Sequence, residues 1–438
     1  RREIIDGRSA ALDDLYVAIV GERFDGHDYC QQAIDAGASG VVVAKGRGGA
    51  IKKATVIEVD DPRVALGDIA RMHRERWQGK LVGITGSAGK TTTKDLTTAA
   101  LRSTGRVHAA RGSNNNETGV PLTLLGLRPF HDFAVIEMGM RGLGEIEYLA
   151  SVALPNVSVV VNAGSAHIGR LGSTAAIAKA KGEIFGDHLG DGIAIYPADD
   201  PRLAHLARAA TRSLSFADCT ANPQEGNLRL LSYQPKGLSG ATLEIDYAGT
   251  GYQVELPLVG KHNAINACCA LLAAIALGAT PAAAVASISS VRPPDMRGEV
   301  RDIAGRHVLV DCYNANPASM EAALETLAEL RADNRAFAVL GDMLELGAQA
   351  ADCHRRLGQQ AASLQIPVLA MGTQRKNIVA GAAGSGGVAW SAADSVAAAR
   401  AALACTAPGD WILLKASRGM KLERVAESIL QESSSART

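Results

Sequence analysis

Short apolar runs alternate with stretches of helical periodicity along most of the chain. In the first part of the sequence, apolar runs at 15–20, 40–44 and 56–59 predict strands, and the pattern at 29–36 predicts a helix. Strands that alternate with helices are typical of an α/β unit. We therefore expect a small α/β domain over residues 1–79.

A second α/β pattern begins near residue 80. The apolar run 81–85 leads into a glycine-rich turn and a helix that begins near Lys90. The runs 133–137 and 157–162 have the composition of buried strands, and both end in polar residues. Because the carboxyl ends of parallel strands meet at one edge of a sheet, this pattern predicts a central parallel sheet with a site along that edge.

The alternation of strand-like runs with helical stretches changes twice in the second half of the chain. Residues 213–258 contain short alternating runs that predict a small antiparallel addition to the central part, and a helix follows at 263–277. The prolines at 293 and 294 then interrupt regular structure. Beyond them, strand-like runs alternate with helical stretches, which predicts a Rossmann-like domain. These runs lie at 307–311, 336–340, 366–370 and 411–414.

Together these patterns predict the fold class and the division of the chain. We expect an α/β protein of three domains: residues 1–79, a central phosphate-loop domain at 80–294 with the antiparallel addition, and a C-terminal Rossmann-like domain at 295–438. The length suits this number, since domains commonly contain about 100 to 200 residues. Hinges near residues 80 and 294 would let the domains close on substrates.

The composition indicates which classes of binding partner the protein is not expected to have. The 45 Lys and Arg residues balance 45 Asp and Glu residues, so we expect no nucleic-acid partner. No apolar run of about 18 residues occurs, and the N-terminal region lacks the apolar core of a signal peptide, which predicts a cytoplasmic protein without membrane insertion. Seven scattered cysteines without a C-x-x-C pair predict reduced, structural thiols. We also expect a monomer.

The glycine-rich turn after the first central strand has the chemistry of a phosphate loop. Gly86 and Gly89 allow backbone N–H groups to turn inward on a polyphosphate, Lys90 supplies a cation, and the Thr91 hydroxyl can bind Mg²⁺. The strict G-x-x-x-x-G-K-[ST] spacing is not met, because Ile84 stands where the first glycine should be. The helix that begins at Lys90 nevertheless directs its N-terminal dipole at a bound anion, which favours phosphate binding.

Three further polar residues follow the predicted strands or lie just downstream of them. Glu137, at the end of a strand, can be an oxygen ligand of Mg²⁺, and the alternative is a solvated carboxylate. His167 follows another strand and could reach the same ion, although a lone histidine is more often structural. Lys181 lies in a helical stretch, where a solvated lysine is the default interpretation.

Several segments together resemble the Mur ligase superfamily. Residues 85–92 resemble its T-G-x-x-G-K-T-[TS] loop, so the unusual glycine spacing is itself a family feature. The segments 115–121, 313–320 and 340–347 are similar to the branch of the family that joins D-alanyl-D-alanine to UDP-N-acetylmuramoyl-tripeptide. The resemblance extends over residues 25–418, in the order of the family.

The resemblance implies an amide ligase that uses ATP and two Mg²⁺ ions to join these two small-molecule substrates through an acyl phosphate. The implied nucleotide-binding residues are Gly86, Ser87, Ala88, Gly89, Lys90, Thr91, Thr92, Asn266, Arg297 and Asp311. The implied metal ligands are Thr91, Glu137, His167 and a carbamylated Lys181, and the implied catalytic residues are Lys90, His167 and Lys181. The implied substrate-binding residues are Arg8, Asn115, Asn116, Thr118, Asn314 and Asn316.

Two other functions are compatible with parts of the sequence. A sister ligase that adds a diamino acid to a dipeptide precursor would share the phosphate loop and the metal ligands, but the motif at 313–317 argues against it. A regulatory or scaffold protein of the same fold would bind ATP without turnover. The presence of Glu137, His167 and Lys181 argues against that second alternative.

Overall fold

Three β-sheets, of four, nine and six strands, follow one another along the chain. The structure is a computed structural model that describes residues 3–21, 23–49, 51–110, 112, 114–164, 166, 168–293 and 295–435. The predicted α/β fold class with three domains is confirmed. No helix in these ranges is both long enough and apolar enough to cross a membrane.

The first sheet contains four parallel strands in the order β1-β2-β3-β4. The strands are β1 Glu3–Ile4, β2 Leu15–Val17, β3 Gly40–Ala44 and β4 Thr55–Val59, with helix α1 at Cys30–Asp35 and helix α2 at Pro62–Arg76. Strand β3 is the core of this sheet, because its three valines are almost completely buried. Strand β2 is shorter than predicted, and Val20 instead forms an isolated bridge with Asp25.

The second sheet has nine strands in the order β13-β12-β11-β10-β9-β8-β5-β7-β6. The strands are β5 Lys80–Thr85, β6 Val107–Ala109, β7 Phe133–Glu137, β8 Val157–Val160, β9 Ile193–Pro197, β10 Arg212–Asp218, β11 Leu228–Pro235, β12 Ala241–Tyr247 and β13 Thr250–Leu256. The helices are α3 Lys90–Arg102, α4 Gly119–Leu125, α5 Glu145–Ala153, α6 Ile168–Leu171, α7 Thr174–Gly182, α8 Pro201–Leu206, α9 Lys261–Ala276 and α10 Pro281–Ile288. Helices α3 and α9 cover one face of the sheet, whereas α4, α5 and α7 cover the other.

The antiparallel addition is an extension of the central sheet. It is confirmed for β11 to β13, which pair antiparallel in sequence order. Strand β10 lies in the same stretch but is parallel to both of its neighbours, so the antiparallel prediction is wrong for this strand. Side chains alternate between the two faces in either kind of strand, and the sequence period therefore does not reveal strand direction.

The third sheet has six strands in the order β14-β15-β19-β16-β17-β18, of which β14 and β15 pair antiparallel and the other neighbours pair in parallel. The strands are β14 Glu299–Ile303, β15 Arg306–Val310, β16 Ala336–Leu340, β17 Val368–Ala370, β18 Ala389–Ser391 and β19 Trp411–Lys415. The helices are α11 Pro317–Leu330, α12 Ala350–Ser363, α13 Arg375–Gly384, α14 Ser395–Cys405 and α15 Glu423–Ser435. Because β5 opens the second sheet and β14 the third, we propose domain boundaries after residues 79 and 294.

Helix α2 is fastened to the central domain by a buried arginine. The Arg74 guanidinium donates to the carbonyls of Ala153 and Leu154 at 3.0 Å each, to Trp77 O at 3.2 Å and to Asn156 Oδ1 at 3.1 Å. A hinge at residue 80 would leave α2 on the moving side and break three of these bonds. We therefore propose that the flexible connection lies between β4 and α2, so that α2 moves with the central domain although the first strand of the central sheet begins only at residue 80.

Replacing Arg74 with Met is expected to lower the free energy of unfolding by about 3 kcal/mol, because each buried carbonyl left without a donor costs about 1–3 kcal/mol. Urea unfolding followed by circular dichroism measures this change. Arg71→Met is the matched control, since Arg71 lies on the same helix in a half-exposed pair with Glu75. Such exposed pairs contribute little. Equal losses in the two variants would contradict the anchoring role of Arg74.

Candidate active site

A cleft of about 670 Å³ lies between the central and C-terminal domains. Its central side is formed by the loop before α3, the end of β7 and the first turn of α9. Its C-terminal side is formed by the end of β15, the start of α11 and the end of β19. The carboxyl ends of parallel strands from two sheets therefore face one another, the edge at which α/β proteins bind ligands.

The phosphate loop is held open by side chains from neighbouring elements. Gly89 has a φ of +79°, a conformation that favours glycine, and the Asn266 side chain packs directly against it. Asn162 Oδ1 accepts from the backbone N–H groups of Ser87 and Ala88 at 3.0 Å each, which fixes the near side of the loop. Lys90 Nζ donates to a carbonyl of the loop at 2.8 Å. These contacts define the conformation of the loop in this structure.

A buried carboxylate lies at the start of α3. Glu137 is 2% exposed, and its two oxygens accept from Thr91 Oγ1 and Asn115 Nδ2 at 2.7 Å each. Neighbouring oxygens around an octahedral Mg²⁺ are about 2.9 Å apart, so the oxygens of Thr91 and Glu137 have the spacing of two Mg²⁺ ligands. His167, the third implied ligand, lies outside the described residues. Among the described residues, no group of three His, Cys, Asp or Glu side chains is placed to hold a metal.

Lys181 is buried, which makes the default interpretation of a solvated lysine wrong. It lies on α7 and is 1% exposed, and its amine has no hydrogen-bond or ion-pair partner among the residues that the structure describes. Burial lowers the pKa of Lys181 well below its ordinary value, and the nearby charge of Lys90 lowers it further. Burial therefore shifts this lysine toward its uncharged form relative to an exposed lysine.

The C-terminal domain contributes a second set of charged groups. Lys415 Nζ, at the end of β19, contacts Asp311 Oδ2 at 2.5 Å and the carbonyl of Asn314 at 3.3 Å. The Arg297 guanidinium lies 4.0 Å from the ring centre of Tyr313, a cation–π contact. These groups line the cleft on the side opposite the phosphate loop. Lys415 lies within the range of the family resemblance, but no role for this residue was predicted from the sequence.

One direct hydrogen bond joins the two sides of the cleft near the phosphate loop. Asn316 caps the N-terminus of α11 by accepting from Ser319 N at 2.9 Å, and its Nδ2 donates to Ser87 O at 3.2 Å. The start of α11 is thus tied to the phosphate loop. Asn162, which holds the same loop from β8, was also missed as a site residue; the signal for it is a polar residue just after a buried strand.

Most of the predicted site residues lie together in this cleft. Those that line it are Ser87, Ala88, Gly89, Lys90, Thr91, Thr92, Asn115, Glu137, Asn266, Arg297, Asp311, Asn314 and Asn316. Arg8 lies away from it in the first domain, where its exposed side chain pairs with Asp6 at 2.8 Å. Asn116 Oδ1 accepts from Gly119 N at 2.8 Å at the start of α4. Gly86, Thr118 and Lys181 also do not line the cleft.

Comparisons with known proteins indicate the same family over nearly the whole chain. Three family models match: "Mur ligase family, catalytic domain" at residues 4–74, "Mur ligase middle domain" at 84–274 and "Mur ligase, glutamate ligase domain" at 296–418. A Synechocystis UDP-N-acetylmuramoyl-tripeptide–D-alanyl-D-alanine ligase is 38% identical, with 98% of this chain and 91% of the relative covered. The Bacillus subtilis ligase of the same name is 33% identical, with 97% and 92% covered.

Solved structures show the same similarity. MurF from Acinetobacter baumannii has a TM-score of 0.89 at 30% identity, and the match covers 98% of this chain and 93% of that one. MurF ligase from Thermotoga maritima in complex with ADP has a TM-score of 0.88 at 27% identity, covering 100% and 98%. With matching models in all three domains and full-length relatives above 30% identity, the chain belongs to the Mur ligase family.

Proposed function

We propose that this chain is an ATP-dependent ligase that joins D-alanyl-D-alanine to UDP-N-acetylmuramoyl-tripeptide in peptidoglycan synthesis. The observation that carries the proposal is the cleft, in which a phosphate loop with Lys90, Thr91 and Glu137 faces the Asp311–Lys415 pair of a second domain. The full-length relatives named for this reaction and the MurF structures support the same choice. They disfavour both the sister ligase and the non-ligating protein.

The nucleotide fits the central side of the cleft. The N–H groups at the start of α3, together with the dipole of this helix, would hold the ATP phosphates, with Lys90 as the cation beside them. Asn266 packs against Gly89 at the far end of the loop, and Asp311 across the cleft would accept from a ribose hydroxyl. The MurF ligase from Thermotoga maritima was solved with ADP, which supports an adenine nucleotide as the ligand.

Magnesium would be held by the oxygens of Thr91 and Glu137, and His167 is proposed as a further ligand. Mg²⁺ commonly uses only one or two protein carboxylates and takes its remaining ligands from phosphates and water, so this small donor set is sufficient. When bound, the proposed two ions supply positive charge that neutralises the transferring phosphate. Asn115 orients Glu137 by donating to the carboxylate oxygen that Thr91 does not contact.

Lys181 is proposed to act as a carbamate. Its uncharged amine would add to carbon dioxide, forming an N–C bond and releasing one proton, and the product is an anion. This reaction turns a buried, uncharged amine that has no described partner into an anionic group that can ligate a second Mg²⁺. The burial of Lys181 and its lowered pKa support the reaction, because only the uncharged amine is a nucleophile.

The proposed reaction has two steps that the residues of the cleft can assist. The tripeptide carboxylate attacks the γ-phosphorus of ATP, the bond to the β-phosphate oxygen breaks, and ADP leaves. The amine of D-alanyl-D-alanine then attacks the acyl phosphate, the carbon–oxygen bond to phosphate breaks, and the amine loses a proton as the amide forms. Lys90 would neutralise charge in the first step, while the C-terminal domain would exclude water from the acyl phosphate.

Phosphate release is the direct test of this function. The purified protein with ATP, Mg²⁺ and UDP-N-acetylmuramoyl-tripeptide is expected to release phosphate only when D-alanyl-D-alanine is added, with a mass increase of the precursor that matches the dipeptide. Parallel reactions with the dipeptide precursor and either meso-diaminopimelate or lysine should stay at background. Turnover in those reactions would replace the proposal by the sister ligase, and ATP binding without any turnover would support the regulatory alternative.

A further inference from the structure

Two glycine backbones meet where α6 of the central domain touches the C-terminal domain. A Cβ atom built on Gly169 would lie 2.6 Å from Gly347 N, 2.6 Å from the carbonyl carbon of Leu346 and 2.7 Å from Glu345 O. All three are backbone atoms, so no side-chain rotation can make room. Gly347 has a φ of +54°, a left-handed conformation that favours glycine, and it faces the Gly169 Cα in return.

The C-terminal partner in this contact is a rigid loop, residues 341–347, which belongs to the motif that sequence analysis singled out. The completely buried His354 accepts from Met343 N through Nε2 at 2.8 Å and donates from Nδ1 to a carbonyl of its own helix. Leu344 N donates to Ser417 Oγ at 3.0 Å. With two successive amides held by side chains of the same domain, the loop moves with that domain as one body.

The central partner is connected to the phosphate loop. Helix α6 follows the loop after β8, in which Asn162 holds the N–H groups of Ser87 and Ala88 and Gly164 lines the cleft. The contact at Gly169 is therefore separated from the nucleotide site by one short loop. A rotation of the C-terminal domain away from the cleft, about an axis that does not pass through this contact, would separate Gly169 from Gly347.

We propose that Gly169 is a positioning residue. Its backbone, which carries no side chain, is the surface that the 341–347 loop contacts when the C-terminal domain closes over the phosphate loop, and we call this contact the seat. The inference rests on the proposed ligation, because closure would bring the dipeptide amine to the acyl phosphate. Its function is to fix the distance between the two halves of the cleft, and it contacts no substrate. A side chain at position 169 holds the domains apart without altering either half of the site.

Gly169→Ala tests the proposal, because alanine is a better helix former than glycine and adds a single methyl group at the seat. The kcat is expected to fall by about 100-fold, the loss that follows a displacement of about 1 Å at a reacting centre. The KM for UDP-N-acetylmuramoyl-tripeptide should stay unchanged, since Gly169 is not among the residues implied to bind substrate. Compaction on adding ATP analogue and both substrates, measured by small-angle scattering, should be smaller than in the wild type.

Gly384→Ala is the matched control: it makes the same substitution in a helix of the C-terminal domain, and a Cβ there meets no atom within 4 Å. This variant should keep wild-type kcat and compaction. Wild-type kcat in Gly169→Ala, or a reduced kcat with full compaction, would overturn the inference. Absence of turnover in the wild type would contradict the proposed function itself, so the two failures are distinguishable.

Hydrogen exchange on the unmodified protein gives a second test that does not depend on the folding of a variant. The N–H of Gly172, the residue after α6, donates to Ile168 O in the helix at 2.8 Å, and its exchange reports on this helix. Substrates that cause compaction should protect the amides of α6 and of residues 343–347 together. Compaction without protection of both segments would exclude the seat.

Discussion

Replacing Lys90 with Ala is expected to reduce D-alanyl-D-alanine-dependent phosphate release by about 1,000-fold or more. Removal of one preorganised charge-stabilising group lowers the rate by on the order of 100- to 1,000-fold, and Lys90 is also proposed to bind the phosphates of ATP before the reaction. Burial lowers the pKa of Lys90, while Glu137 nearby opposes the shift. The cation thus lies in a partly dehydrated site, where its interaction with a phosphate is stronger than in water.

The control for this variant is Lys80→Ala, at the exposed start of β5, which should keep wild-type turnover. Phosphate release can be followed in a coupled assay, with thermal unfolding measured alongside. The free energy of unfolding should not fall in Lys90→Ala, because among the described residues the amine donates only to a carbonyl of its own loop. Turnover within tenfold of the wild type would show that the activity comes from another site or from a contaminant.

Lys181→Ala is expected to lower phosphate release by about 100-fold or more, because a charged ligand of the transferring group's metal is lost. A short carboxylate such as formate or acetate should restore part of the activity by occupying the space that the carbamate fills. Lys179→Ala, an exposed lysine of the same helix, is the matched control and should behave as the wild type. Loss of activity without rescue, in a protein that still unfolds at the wild-type temperature, would leave Lys181 essential but not as a carbamate.

The proposed carbamate at Lys181 predicts that the activity depends on pH and on bicarbonate. The pKa of Lys181 is lowered by burial, so the amine is uncharged above that lowered pKa and protonated below it. Carbamate formation needs the uncharged amine, and activity should therefore decline as the pH falls through the lowered pKa. Added bicarbonate should restore activity to protein stripped of carbon dioxide. A pH profile that is identical in carbon-dioxide-free and bicarbonate-supplemented buffer would contradict the carbamate.

The phosphate loop could be predicted from sequence because its chemistry is local. Gly89, Lys90 and Thr91 are adjacent, and the helix that they begin follows directly in the chain. The strands β5 and β7 were also recognisable, since buried parallel strands are continuous apolar runs that end in polar residues. Glu137 was predicted at the right strand end for this reason, and the structure brings it to within 2.7 Å of Thr91.

Contacts between distant segments could not be predicted in this way. The helical pattern around Lys181 gave no sign that this amine is buried, because the helices and strands that cover it come from other parts of the chain. The pairing of Asp311 with Lys415 joins the ends of two strands that are neighbours only in the folded sheet. The capping of α4 by Asn116 Oδ1 was likewise not foreseen, and the implied substrate contact of this residue stays a prediction.

The sequence by itself determined the α/β class, the three successive domains and the phosphate loop, because these depend on the periodicity of side chains and on the conformational freedom of glycine within a few residues. Only the tertiary structure decided the direction of β10, the burial of Lys181, the fastening of α2 by Arg74 and the meeting of Gly169 with Gly347. These features depend on which surfaces pack together, and packing is decided by the whole chain at once and not by any local pattern.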